Sequence, residues 1–597
     1  MPDRLFAEPH IRMTERDDGA IFILSAEPLQ DAPLLIEDFR RHAALHPDRV
    51  LVGDHVTGVW RTCTWGEMRK RVDRLAQGLI DQGFVDRPIM ILSGASIEHL
   101  TLELAALTLG VPVAPASVPY SLGSESHEKL RGLAEVVDPC LVFAQAASFE
   151  SAARAVSNRD RVVVSPDGVI SGSRKFEDLF VEATSAVEER FSRVDSASVA
   201  KILFTSGSTG KPKGVINTQG MLAVNQQQIR QVWPFLRNEP PVLLDWLPWS
   251  HTFGGNHNVD MVLANGGSYW IDDGGPSPSL VKRTIANLND VQPTVFFNVP
   301  AGYSVLVPIL EKSPDLAARF FSKLRVAFFA ASALPQTLWD RIELLAAKHH
   351  SEMMLTTSWG LTETAPSATT THFKISQSNN IGVPLPGVEL KLTPDSGGKL
   401  EIRIRGPNVT PGYYGRPDLT REKFDSEGYL RTGDAVQLVD PRDPARGIRF
   451  DGRIAEDFKL ATGTFVSAGT LRPKLLSLAN GLFADAVICG HDTDAVKAMA
   501  WLSAGHAGRC SEDGTPEPSL RQEIEHILDQ TSQGGAGSSQ RVERLLLVTK
   551  PPDLESGEIT DKGYINQAKV QEIRHEIVIL LNAEQPDPRV VVVPKRR

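Results

Sequence analysis

Apolar positions set a rhythm along the chain before any chemistry is considered. Thr64 precedes Glu67 by three residues, a spacing in which a hydroxyl and a carboxylate cap the same helix start. Met68, Val72, Leu75 and Leu79 then recur at helical spacing, which predicts an amphipathic helix. A short apolar run at 89–93 reads as a buried strand. A helix through Leu109 and a second strand at 111–114 follow it. Strand, helix and strand in that order predict parallel βαβ units. Further strand-like runs lie at 162–164, 201–204 and 324–330. Residues 1–30 are polar, show no clear periodicity and are expected to form an N-terminal extension.

The texture changes after Gly382. Short β-like stretches at 389–392, 400–405 and 436–439 are punctuated by Gly and Pro. Near 452–460 clustered charges interrupt a strand, and beyond them come a helix (471–478), a strand (486–489), a helix (520–530) and a strand (544–548). Loops 504–518 and 534–539 are rich in Gly and Ser and are expected to be mobile. The expected class is α/β: a large N-terminal domain of parallel βαβ sheets with a β-rich subdomain (31–450), a hinge (451–457), and a small mobile α+β C-terminal domain (458–597).

Composition narrows the function classes. The 597 residues carry 63 Lys+Arg against 73 Asp+Glu, a formal net charge of −10, with 41% hydrophobic residues. That balance excludes global disorder and argues against nonspecific nucleic-acid binding. Four cysteines, none in a CxxC pair, cannot build a disulfide framework, so a reducing cytoplasm is expected. The most apolar stretch, 100–113, contains Glu103 and Pro112 and is too short to span a bilayer, so no integral membrane association is expected. The oligomeric state leaves no trace in the sequence.

Three stretches carry chemistry. ILFTSGSTGKPKGV (202–215) runs a short strand into Thr205, Ser206, Gly207, Ser208, Thr209, Gly210, Lys211 and Lys213. Glycines permit close backbone approach, hydroxyls and N–H groups surround phosphate oxygens, and two lysines supply charge. The spacing is not that of a Walker A loop, because Pro212 follows Lys211. A flexible Gly/Ser linker is the competing reading, weakened by the preceding strand and the paired lysines. TTSWGLTETAP (356–366) offers an aromatic face at Trp359, a hydroxyl at Thr362 and a carboxylate suited to Mg²⁺ at Glu363. Taken alone it reads equally well as a capped turn before a helix. In GYLRTGDAVQLVD (428–440) Asp434 sits after Gly433, where a carboxylate can accept from a ribose diol or simply close a turn.

In this order the three stretches resemble the adenylate-forming superfamily of acyl-CoA synthetases, peptide-synthetase adenylation domains and firefly luciferase. The resemblance spans roughly residues 35–570. GKLEIRIRGPNVTPGYYGRPDLTREKF (398–424) and GRIAEDFKL (452–460) extend it. Within the superfamily, WLPWSHTFGGNHN (246–258), EDFKLATGTFVSAGTLR (456–472) and SGEITDKGYINQ (556–567) are similar to bacterial feruloyl-CoA synthetases.

The resemblance implies an ATP-dependent acid:CoA ligase that uses Mg²⁺, ATP and coenzyme A on an aromatic acid such as ferulate. Residues 205–213 would cradle the leaving pyrophosphate. Thr362 would contact the α-phosphate, and Glu363 would hold Mg²⁺. Trp359, where relatives commonly carry tyrosine, would stack on adenine beside Gly360 and the strip Ala331, Ser332 and Ala333. Asp434 and Arg453 would hold the ribose, Lys562 would bridge carboxylate and α-phosphate, and Gly463 would line the pantetheine tunnel. His251 would gate the acyl pocket. Two positions depart from the family pattern: the hinge position is Ala455, and Lys562 stands five residues after Gly557 instead of directly after a glycine. These departures motivate a nucleotide-binding regulator without catalysis as one alternative. Medium-chain or other aryl acyl-CoA synthetases are others, as are an acyl-AMP ligase that does not use CoA and an adenylation domain feeding a carrier protein.

Overall fold

The Thr64 cap forms as its spacing predicts. Glu67 N donates to the Thr64 hydroxyl at 3.2 Å, and Thr64 N donates to the Glu67 carboxylate at 2.8 Å. The helix Trp65–Asp81 follows, with Met68, Val72, Leu75 and Leu79 all buried. Burial of each such side chain contributes about 1.5–3 kcal/mol, well above the few tenths that intrinsic helix propensity supplies. The structure is a computed structural model, and it describes residues 5–205, 212–277, 279–395, 398–531, 537–560, 563 and 565–593.

The chain divides into two compact units. The first comprises Met1–Lys391, Arg403–Arg431 and Leu438–Arg449, and the second Leu392–Ile402, Thr432–Gln437 and Phe450–Arg597. The strands Glu389–Pro394, Leu400–Arg405, Leu430–Leu438 and Ile448–Arg453 each contribute residues to both.

In the first unit the predicted βαβ rhythm is present. Ile89–Leu92, the helix Ile97–Thr108 and Val113–Pro115 form one right-sized repeat, and the two strands pair in parallel. Ile89–Leu92 also pairs in parallel with Leu141–Ala144, which pairs with Val162–Ser165. On the other side Val113–Pro115 neighbours Val199–Thr205, and this strand turns back antiparallel into Lys213–Thr218. Every residue of Ile89–Leu92 and Leu141–Ala144 is buried, as expected for strands covered on both faces. A second set of neighbours runs Val295–Asn298, Val326–Phe329 and Met354–Gly360 in parallel, then antiparallel into Ser367–Thr370. A further parallel pair, Val242–Asp245 and Ser268–Ile271, adjoins the hairpin Val50–Val56 and Val59–Thr64.

The N-terminal segment holds more structure than its pattern suggests. Ile11–Glu15 and Ile21–Ser25 pair as an antiparallel hairpin. The first strand alternates only partly buried and exposed positions, so its period is faint in sequence. In the second unit the helix Ala468–Leu478 packs with Phe483–Cys489, Val496–Leu502, Pro518–Thr531 and Val542–Leu547 around Leu475, Ile488, Ile524 and Leu545. Among the described residues no helix is long and apolar enough to cross a membrane.

Candidate active site

The glycine-rich loop hangs from a defined stem. Thr205 ends one strand and lies opposite Lys213, which begins the next. Ser206, Gly207, Ser208, Thr209, Gly210 and Lys211 lie outside the described residues. Behind the stem, Asn217 Nδ2 donates to the Thr362 carbonyl at 3.4 Å, and Asn256 Nδ2 donates to Asn217 Oδ1 at 2.7 Å. The strand that leaves the loop is thereby tied to the Thr362 turn and to the segment after His251.

Thr362 and Glu363 occupy a short 3₁₀ turn, Thr362–Thr364, directly after Met354–Gly360. A strand, not a helix, follows the turn, at Ser367–Thr370. Glu363 is buried, with Oε1 accepting from the Tyr413 hydroxyl at 2.8 Å. The Tyr413 ring in turn lies 5.8 Å from Lys213 Nζ. Lys213 and Glu363 are therefore brought together through a residue to which the sequence assigned no role. Its only signal was its place in the GYYGRP stretch. Among the described residues no group of three or more His, Cys, Asp or Glu could hold a metal alone. A single hard carboxylate fits Mg²⁺ that takes its other oxygens from nucleotide phosphates and water.

Trp359 and the strip 331–333 belong to one edge of the sheet. The strands Val326–Phe329 and Met354–Gly360 run parallel, with Phe329 opposite Thr357, and both sites lie at or just beyond their carboxyl ends. Crevices there are the usual binding places of open α/β sheets. Ala331 holds φ of +76°, a left-handed conformation uncommon outside glycine, and Ala331, Ser332 and Ala333 are exposed. Trp359 is buried in its strand. Gly360 is required by its neighbour: a Cβ there would stand 1.8 Å from the Pro366 carbonyl oxygen.

His251 opens a wide helical turn, Phe253–Val259, and accepts through its carbonyl from Gly255 N at 2.8 Å. The turn is possible because Gly254 and Gly255 face carbonyl oxygens at 2.5 Å and 2.4 Å from where a Cβ would be. It carries an aromatic cluster. The Phe253 ring lies 6.0 Å from Phe297 and 5.7 Å from Phe328, and His257 lies 5.0 Å and 5.2 Å from the same two. Burial pushes the His257 imidazole down to about 4, so it is neutral at pH 7. Its Nδ1 faces Asn258 Oδ1 at 3.0 Å, while Asn258 Nδ2 donates to Asp245 at 2.7 Å. The second bond fixes the amide, so Nδ1 carries the proton.

Beneath this turn lies a buried ionic group that the sequence reading missed. Lys201 Nζ is 2.7 Å from Glu103 and 3.5 Å from Asp260, and His99 Nε2 is 3.7 Å from Glu103. All four side chains are at most 3% exposed.

In the second unit Asp434 is buried within Leu430–Leu438 instead of closing a turn. Gly433 supplies the kink with φ of +75°, and Asp434 N donates to the Thr432 hydroxyl at 3.0 Å. Arg453 Nε reaches Asp434 Oδ1 at 3.4 Å, so the two expected ribose ligands do meet. Ala455 lies in the 3₁₀ turn Ile454–Glu456. Gly463, with φ of +80°, sits in the tight hairpin between Phe458–Lys459 and Phe465–Val466. Lys562 lies outside the described residues. Nearby, Glu558 accepts from Arg574 Nε at 2.5 Å and Nη2 at 2.7 Å, and Ile559 pairs with Ile565.

Comparison with known proteins adds four likenesses. A family model described as AMP-binding enzyme matches residues 39–414. Long-chain-fatty-acid–CoA ligase FadD15 of Mycobacterium bovis is 23% identical over 595 residues, covering 89% of this chain and 94% of that protein. Anthranilate–CoA ligase of Pseudomonas aeruginosa is 30% identical over 283 residues, 45% of this chain and 49% of that one. In structure, the anthranilate CoA ligase AuaEII in complex with anthranoyl-AMP aligns with a TM-score of 0.71 at 17% identity. That alignment covers 93% of this chain and 99% of the other.

Proposed function

The chain belongs to the AMP-binding enzyme family, and from that premise we propose that it is an AMP-forming acid:CoA ligase acting on an aromatic carboxylic acid such as ferulate. A carboxylate is a poor electrophile, so the acid first attacks the α-phosphorus of ATP and expels pyrophosphate. The CoA thiol then attacks the acyl carbon and expels AMP. The first step is governed by positioning and by charge neutralisation.

The observation that carries this reading is the grouping of Thr205, Lys213, Thr362 and Glu363 around Tyr413 and Asn217. Residues 205–213 hold the departing pyrophosphate, and Thr362 holds the α-phosphate. Glu363 offers its carboxylate to Mg²⁺, which when bound neutralises charge on the phosphate oxygens. Trp359, Gly360 and residues 331–333 take the adenine, while Asp434 and Arg453 take the ribose. Lys562 orients the acid against the α-phosphate, and Gly463 contacts the pantetheine arm. Phe253, two residues after His251 in the chain, packs its ring on Phe297 and Phe328, and this aromatic surrounding supports a planar acyl group.

A long-chain fatty acid is the second reading, favoured by the match to FadD15 along nearly the whole chain. The deciding experiment is acid-dependent ATP–pyrophosphate exchange and CoA-thioester formation with a phenylpropenoate, a benzoate and fatty acids of several lengths. Thioester from the phenylpropenoate at the highest kcat/KM supports the proposal. Exchange without thioester points to an acyl-AMP ligase, and no exchange with any acid removes the ligase reading.

A further inference from the structure

Tyr413 stands between the phosphate-loop stem and Glu363. Its own stretch is stitched to both sides. Thr410 N donates to the Glu363 carbonyl at 2.8 Å, and the Thr410 hydroxyl donates to the Ile216 carbonyl at 2.7 Å. Ile216 N donates to the Gly412 carbonyl at 3.1 Å, and Tyr414 N to the Gly214 carbonyl at 2.8 Å. The Tyr413 backbone also bridges to Val215. The Tyr413 side chain is buried beside this stitching, with the residue 5% exposed.

The geometry has a chemical consequence. A carboxylate owns two oxygens, and Oε1 of Glu363 already accepts the phenolic hydrogen at 2.8 Å. Bidentate contact by a cation would have to share Oε1 with the phenol, so the other oxygen is the favoured ligand. Mg²⁺ demands compact six-fold geometry, whereas Ca²⁺ accepts bidentate carboxylates in larger, looser shells.

We propose that Tyr413 is a positioning residue that fixes Glu363 as a one-oxygen ligand of the divalent cation accompanying ATP, and so sets the preference for Mg²⁺ over larger cations. The proposal rests on the reading of Glu363 as the metal carboxylate. Tyr413→Phe removes the hydroxyl, keeps the ring under Lys213 and frees Oε1 for bidentate contact.

The test is calorimetric ATP binding without acid substrate, in Mg²⁺ or in Ca²⁺, for the unmodified chain, Tyr413→Phe and Glu363→Gln. The expected result is a Mg²⁺-to-Ca²⁺ affinity ratio that falls at least fivefold in Tyr413→Phe and is lost in Glu363→Gln. Adenylation by Tyr413→Phe should need at least tenfold more Mg²⁺ for half-maximal rate. Its rate of CoA attack on preformed acyl-adenylate should stay unchanged, which a general loss of folding would not allow. An unaltered ratio in Tyr413→Phe, with the ratio lost in Glu363→Gln, overturns the role of Tyr413 and leaves the Glu363 reading standing. An unaltered ratio in Glu363→Gln overturns both.

Discussion

Lys201 Nζ lies 2.7 Å from the Glu103 carboxylate, with the lysine fully buried and the glutamate 3% exposed. The pair ties the strand feeding the glycine-rich loop to the helix Ile97–Thr108. Lys201 also donates to the Gly255 carbonyl at 3.3 Å, inside the wide turn after His251. Removing one member of a buried pair leaves a desolvated charge, which costs about 3–5 kcal/mol. Lys201→Met is therefore expected to destabilise the first unit by about that amount, seen as a lower urea midpoint. Lys201→Met combined with Glu103→Leu should recover part of the loss. A midpoint unmoved by the single change would refute the account.

The same group makes stability pH-dependent. Burial disfavours the charged form of His99, and the Lys201 ammonium faces two carboxylates, Glu103 and Asp260. Burial first, then the Glu103 charge, pushes the Asp260 carboxyl up to about 7 from 3.8, against the opposing pull of Lys201. The folded chain thus binds this proton more tightly than the unfolded chain. The contribution is complete below pH about 4 and is lost as pH rises through about 7. Relative to Asp260→Asn, the unmodified chain should lose stability between those limits. Paired unfolding curves across that range check it, and a flat difference would rule it out.

Gly360→Ala tests the close approach next to Trp359. The added methyl would meet the Pro366 carbonyl oxygen at 1.8 Å and its carbon at 2.8 Å, with the Thr364 hydroxyl at 3.0 Å. A loss of about 1–3 kcal/mol is expected from such overpacking, with weaker ATP binding. Wild-type stability together with wild-type ATP affinity would contradict the geometry.

Lys562→Ala should abolish adenylation while largely sparing CoA attack on preformed acyl-adenylate. A flexible ammonium suits transient bridging of two anions. Equal loss of both half-reactions would contradict the assignment.

What the sequence discloses and what it hides follow from contact range. The Thr64–Glu67 box and the spacing of Met68 to Leu79 are local, so they can be read directly. The parallel strands announce themselves through continuous apolar runs, since both faces are covered. Asp434 reads as a turn because Gly433 mimics one, and only non-local strand pairing shows that it is buried in a strand. Tyr413 meets Glu363 from 50 residues away, and no local period marks that meeting. Lys201 sits in an apolar run where its charge looks like an interruption, until Glu103 and Asp260 arrive from other elements.

The wide turn Phe253–Val259 separates what can vary from what cannot. Its path is held at Gly254 and Gly255, where neighbouring carbonyls exclude any side chain. Phe253, only half-buried beside them, faces no such restriction. If this segment borders the acyl group as proposed, a change of side chain at Phe253 would reshape that surface and leave the backbone template intact, without a new loop.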